Sequence, residues 1–87
     1  METRETKEYK EMDQFTACSI AEGFCGGEDA TEAEQAAAWQ YLIDTGAAWH
    51  LQGWYGRNAA SLIENGICLP PLETHQDAYG NTVHGLA

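Results

Sequence analysis

Residues 31–69 read TEAEQAAAWQYLIDTGAAWHLQGWYGRNAASLIENGICL, and this stretch decides the fold class. It opens on a helix start signal. Thr31-Glu32-Ala33-Glu34 fits the capping box, in which the Thr hydroxyl accepts from the amide three residues on and the Glu side chain reaches back to the Thr amide. Ala36, Trp39, Leu42 and Ile43 then recur at helical spacing, which predicts a helix from Glu32 to about Thr45 with Gly46 as its stop. A shorter helix is expected over Ala47–Gln52, followed by a sharp turn at Gly53. The next helix should run from about Tyr55 to Asn65, with Tyr55, Ala59, Leu62 and Ile63 at core spacing. Asn65-Gly66 ends it, because Gly accepts the left-handed conformation that a helix terminus needs. The short helix and its successor have the spacing of a helix-turn-helix pair.

Outside this stretch the signals are weaker. Phe15, Cys18, Ile20, Ala21 and Phe24 recur at three- and four-residue intervals, which predicts a helix over Asp13–Gly23. Residues 1–10, METRETKEYK, mix charges of both signs and read as a flexible lead-in. Pro70-Pro71 forbids further helix. The tail 70–87 has no helical period, although a small hairpin about Gly80-Asn81 is one option for 78–83. The expected fold is all-α: a compact small bundle of three to four helices over 11–69, with a helix-turn-helix-like pair and an irregular C-terminal tail.

Composition bounds the function. The 87 residues make one small domain, and the 44% hydrophobic fraction is heavy in Ala, which buries little area. The core margin is thin, which leaves room for a homodimer or for a tight partner complex. The basic residues Arg4, Lys7 and Lys10 are offset by Glu2, Glu5 and Glu8. The formal net charge of −10 therefore sits on residues 11–87, where Arg57 is the single cation. Such a body is repelled by phosphate backbones and attracted to basic surfaces, so direct nucleic-acid binding is disfavoured. No apolar run approaches the roughly 20 residues that span a bilayer. An odd count of cysteines, without a secretory leader pattern, points to the cytoplasm.

Residue patterns that carry chemistry are sparse. Cys18, Cys25 and Cys68 form no close Cys or Cys/His pair of zinc-binding type with His50, His75 or His84, so no metal site is expected. No Gly-x-Ser-x-Gly elbow is present, and Gly26-Gly27 runs into Glu28-Asp29, the wrong charge for a phosphate cradle. The expectation is a protein that is not an enzyme and takes no cofactor.

Binding residues are better candidates. Trp49 and Trp54 cannot both share the face of Trp39, and each is read either as an interface anchor or as a lid on the core. Arg57 either ties helices together, with Asp44 as a carboxylate partner, or marks a binding spot. The acids Glu28, Asp29, Glu32 and Glu34 either serve the helix start, where the dipole favours negative charge, or face a partner.

The residues Leu42-Ile43-Asp44-Thr45-Gly46, Ala48-Trp49, Leu51-Gln52-Gly53, Tyr55-Gly56-Arg57, Ala59, Leu62-Ile63 and Gly66 resemble a pattern shared by small proteins that phages and prophages encode. Asp77-Ala78-Tyr79-Gly80-Asn81 looks like a further feature of that group. Ala47 and Ile67 stand where Leu is usual, and Asn58 where Thr is usual. The resemblance implies a viral accessory protein acting in the host cytoplasm, and it transfers no catalytic or binding residue.

Together these readings favour an accessory protein that binds a host or phage protein with a basic surface, as a counter-defence inhibitor or nucleic-acid mimic. Two alternatives stand beside it: a DNA-linked transcriptional regulator using the helix-turn-helix shape, and an oligomeric structural or assembly factor.

Overall fold

The computed structural model describes residues 3–23, 29–51, 53–76, 80 and 82–85. Among them are four α-helices, α1 (Lys7–Lys10), α2 (Gln14–Glu22), α3 (Glu32–Thr45) and α4 (Gly53–Glu64), and two short strands, β1 (His75–Gln76) and β2 (Thr82–Val83). The fold is all-α with a C-terminal tail. Contacts divide the chain into two units, Met1–Leu42 and Ile43–Ala87, with the boundary inside α3.

In the first unit, the lead-in predicted to be flexible contains a 3-10 turn at Thr3–Glu5 and the single-turn α1. The Thr6 hydroxyl caps α1 by accepting from the Tyr9 amide at 3.3 Å. The Tyr9 ring meets Tyr41 of α3 edge-on, with centroids 6.5 Å apart, a favoured aromatic geometry. Helix α2 starts at Asp13, whose carboxylate accepts from the Thr16 amide at 2.7 Å, and ends at the left-handed Gly23. Its buried face differs from the expected stripe. Phe15 is 68% exposed, whereas Ala17 and Ser19 are buried. Small side chains let a helix backbone approach its neighbours closely, and the Ser19 hydroxyl donates to the Phe15 carbonyl at 2.9 Å, so its burial leaves no orphan. Phe24 lies outside the described residues.

Helix α3 has the predicted bounds, and its capping box is formed. The Glu34 amide donates to Thr31 Oγ1 at 3.1 Å, and the Thr31 amide donates to Glu34 Oε1 at 3.0 Å. The burial is wider than one stripe: Ala37, Ala38, Trp39 and Gln40 are consecutive and all buried. Four successive residues go right round a helix, so the middle of α3 is enclosed on every side. Ala, which adds little bulk, is what makes that enclosure possible.

In the second unit, α3 gives way at Gly46 (φ 83°) to a 3-10 turn at Ala47–Trp49. Among the described residues of the short helix expected over Ala47–Gln52, only Ala47–Trp49 wind helically, as this 3-10 turn, and Gln52 lies outside the described residues. The Trp49 and His50 amides bond three residues back, to Gly46 and Ala47, and this tighter winding does not propagate. The helix-turn-helix likeness shrinks with it, since the partner of α4 is one turn long. Helix α4 begins two residues before the expected Tyr55, buries Tyr55 and Ala59, and leaves Leu62 and Ile63 half-buried. It ends in a Schellman motif: the Ile67 amide donates to the Leu62 carbonyl at 2.9 Å and the Gly66 amide to Ile63 at 3.1 Å. Gly66 (φ 73°) supplies the left-handed residue.

Beyond the buried Pro71, β1 and β2 pair antiparallel, with His75 opposite Val83 and Gln76 opposite Thr82. A hairpin is present. Of the stretch 78–83 expected to form it, Gly80 (φ 84°), Thr82 and Val83 are described, and Ala78, Tyr79 and Asn81 lie outside the described residues.

Candidate functional site

The second unit carries an apolar groove of about 560 Å³, within the size range of ligand and side-chain pockets. One wall is the face of α4 formed by Gly53, Gly56, Arg57, Ala60, Ile63 and Glu64. The other walls come from the 3-10 turn (Ala48, Trp49), from Leu51 and Pro70, and from Thr82, Val83 and His84 of the hairpin segment. The α4 positions are spaced three, four and three residues apart, which lines them along a single helix face. Small side chains at Gly53, Gly56 and Ala60 keep this face low. At Gly56 the helix already lies against the 3-10 turn, since a Cβ there would sit 3.6 Å from the Ala48 carbonyl oxygen and 3.7 Å from the Trp49 ring.

Trp49 lines this groove but is only 6% exposed. It forms wall and core together, so it does not project from the surface as an anchor. Its indole N–H is buried without a hydrogen-bond partner among the described residues. Trp54 is half-buried and stacks on Tyr55 with centroids 4.0 Å apart. Arg57 is exposed and makes no ion pair among the described residues, so the expected tie to Asp44 is not formed. Its guanidinium folds back toward the start of α4, where Nη1 would stand 3.1 Å from a Cβ on Gly53. The structure therefore brings Trp49 and Arg57 to one groove.

The acidic candidates lie in the first unit. Asp29 and Glu32 are exposed, Glu34 is half-buried and engaged in its capping box, and Glu28 lies outside the described residues. Thus Glu34 has the structural role that its spacing from Thr31 suggests, and Asp29 and Glu32 remain open to solvent. A second hollow of about 440 Å³ lies beside α1 and α2, with Lys7, Glu8, Glu11 and Glu34 among its lining. Its Lys7–Glu11 pair, at 3.7 Å and well exposed, contributes little.

Two titrating groups are displaced from their ordinary values. The Asp13 carboxyl is lowered by hydrogen bonds from Thr16, the backbone amide first. The Cys68 thiol is pushed up to about 11, mainly by burial and secondarily by the nearby Asp44 carboxylate. At neutral pH Cys68 is therefore a protonated core residue rather than a nucleophile. Among the described residues no three His, Cys, Asp or Glu side chains gather to hold a metal ion, and no helix is long and apolar enough to cross a membrane.

Sequence reasoning did not single out Gly56, Ala60, Glu64, Val83 or His84 as lining residues. The signal available for α4 was the run of small residues at helical spacing on the side opposite Tyr55 and Ala59. Nothing local placed Val83 and His84 beside it, because that approach depends on where the hairpin docks.

No curated protein and no solved structure matches this chain. Residues 27–84, which include every residue named for the groove, match the model of a domain of unknown function, DUF7417. The chain belongs to that family.

Proposed function

We propose that this protein is a viral accessory factor that acts by binding a host or phage protein, competing through its acidic surface for a basic groove that otherwise takes nucleic acid. The observation that supports this reading is how the charge is displayed. Glu11, Asp13, Glu22, Asp29, Glu32, Glu64 and Glu73 are all exposed, and after residue 10 only Arg57 opposes them. A surface of one sign steers a partner of the other sign and sets the rate of encounter. Asp29 and Glu32 are the foremost contacts, because Glu34 is held in its cap. The half-buried Trp54 is the aromatic that a partner reaches. Binding in the host cytoplasm, rather than catalysis, is the mode of action.

The test is affinity capture on the full chain from host lysate, eluted with a salt gradient. A captured protein of basic surface should leave as ionic strength rises, and the double substitution Asp29→Lys, Glu32→Lys should weaken its retention. Retention that ignores both salt and charge reversal sinks the reading.

A further inference from the structure

We infer that the α4 face is a homodimer interface in which two copies pack antiparallel about a two-fold axis. The argument begins with two side chains. Arg57 and Glu64 are both exposed, both border the groove, and neither has an ion-pair partner among the described residues. They lie seven residues apart, so they stand on the same side of α4 about 10.5 Å from each other along the axis. A face with a cation at one end and an anion at the other complements a second copy of itself turned end for end. Arg57 of each chain then meets Glu64 of the other, as a two-fold interface requires.

The shape of the face agrees with its charge. Between the two charged residues lies the exposed Ala60, whose small side chain keeps this strip of α4 low. A small residue at the centre of a crossing lets two helix backbones approach closely. At the end of α4 stands Ile67, which is 58% exposed. Antiparallel pairing brings the Ile67 end of each copy to the Gly53 end of the other, where the Arg57 side chain lies folded back, and the exposed Ile67 gains cover against its aliphatic stem.

Electrostatics selects this face over the rest of the molecule. Two chains with a net charge of −10 repel one another at long range. They meet with least repulsion where the acids are balanced, and after residue 10 only Arg57 balances any. A chain of 87 residues with an Ala-rich core also gains stability from burying a further apolar surface.

Sedimentation velocity of the full chain over a wide concentration range tests the pairing. The wild-type chain should dimerise. Arg57→Glu and Glu64→Arg should each weaken the dimer roughly tenfold or more, because each reversal turns two attractive pairs into two repulsive ones. A mere net-charge effect would drive the two variants in opposite directions, since one adds negative charge and the other removes it. An equimolar mixture of the two variants should recover a dimer, now a heterodimer with both pairs attractive, and the double variant Arg57→Glu, Glu64→Arg should self-associate again. Far-ultraviolet circular dichroism checks that these exposed substitutions leave the helices intact. A wild-type chain that stays monomeric at every concentration overturns the inference. So does a dimer that the single reversals leave unchanged, or variants whose mixture fails to associate, including the case in which the groove instead takes a different protein.

Discussion

The imidazole of His75 lies across Gly46, and its Nε2 stands 3.3 Å from the main-chain oxygen of Asp44. A carbonyl oxygen only accepts, so Nε2 carries the proton and donates. Asp44 belongs to the last turn of α3, whose carbonyls lack partners within the helix. A side chain from the hairpin, 31 residues away in sequence, thus satisfies the end of a helix. That contact fastens β1 to the α3 terminus inside the second unit.

Gly46→Ala should therefore be among the more damaging single-methyl additions. The residue sits at φ 83°, and a Cβ would stand 2.8 Å from His75 Nδ1. Backbone strain and collision together should cost about 1–3 kcal/mol, read as a lower midpoint in urea unfolding. Adding His75→Ala should relieve only the collision, so the double variant should be less destabilised than the sum of the two singles. Strict additivity would show that the ring and the glycine do not interact.

Thr31→Ala should lower stability by about 1 kcal/mol, the usual cost of losing an N-cap. Thr31→Ser, which keeps the accepting oxygen, should lose much less. The Glu34 carboxylate accepts from the main-chain amide of residue 31, which Thr31→Ala keeps, so Glu34→Ala should still cost stability after Thr31→Ala has removed the other bond. Chemical denaturation of the four chains measures the coupling.

Trp49 separates packing from hydrogen bonding. Its indole N–H makes no bond among the described residues, so Trp49→Phe should be mild, at about 1–2 kcal/mol, because the loss of ring area is partly offset by removing a buried donor. Trp49→Ala should cost about 3–5 kcal/mol by opening a cavity between the 3-10 turn and α4. Comparable losses for the two variants would mean that the N–H has a role that the bond pattern does not account for.

Cys68 predicts a pH dependence whose sign is fixed by its environment. Its folded pKa, about 11, is above the ordinary 9.0. The native state therefore holds a proton that the unfolded state releases between those values. The stability contribution is complete below pH 9 and falls as pH rises toward 11. Cys68→Ser should flatten this alkaline limb of the unfolding midpoint. At mildly alkaline pH, iodoacetamide should label Cys68 far more slowly in the folded chain than in denaturant. Equal rates in the two states would contradict its burial.

Much of the helical layout is legible along the chain because its causes are local. Thr31 and Glu34 lie within one turn, Gly46 and Gly66 act at their own dihedral angles, and Asp13 caps the residue three places on. The bounds of α2 and α3 follow from those signals. Periodicity was a poorer guide to which side of α2 is buried, because Ala17 and Ser19 carry almost no hydrophobic weight and Phe15 carries much. Burial there followed how closely the backbone can approach its neighbours. The length of the segment after Gly46 was also not local: whether Ala47–Gln52 winds as helix or as one 3-10 turn depends on what Trp49 packs against.

What the sequence determined by itself was the helical class, the caps and stops, and the placement of nearly all net charge after residue 10. These are properties of neighbouring residues or of simple sums over the chain. Only the tertiary structure decided that Trp49 is a wall rather than an anchor, that Arg57 makes no ion pair among the described residues, and that the hairpin docks through His75 onto the end of α3. The groove along α4 belongs to the same group. Each of these depends on a contact between segments far apart in the chain, and such contacts are settled by shape, by which donors remain unsatisfied, and by the burial that the folded chain achieves as a whole.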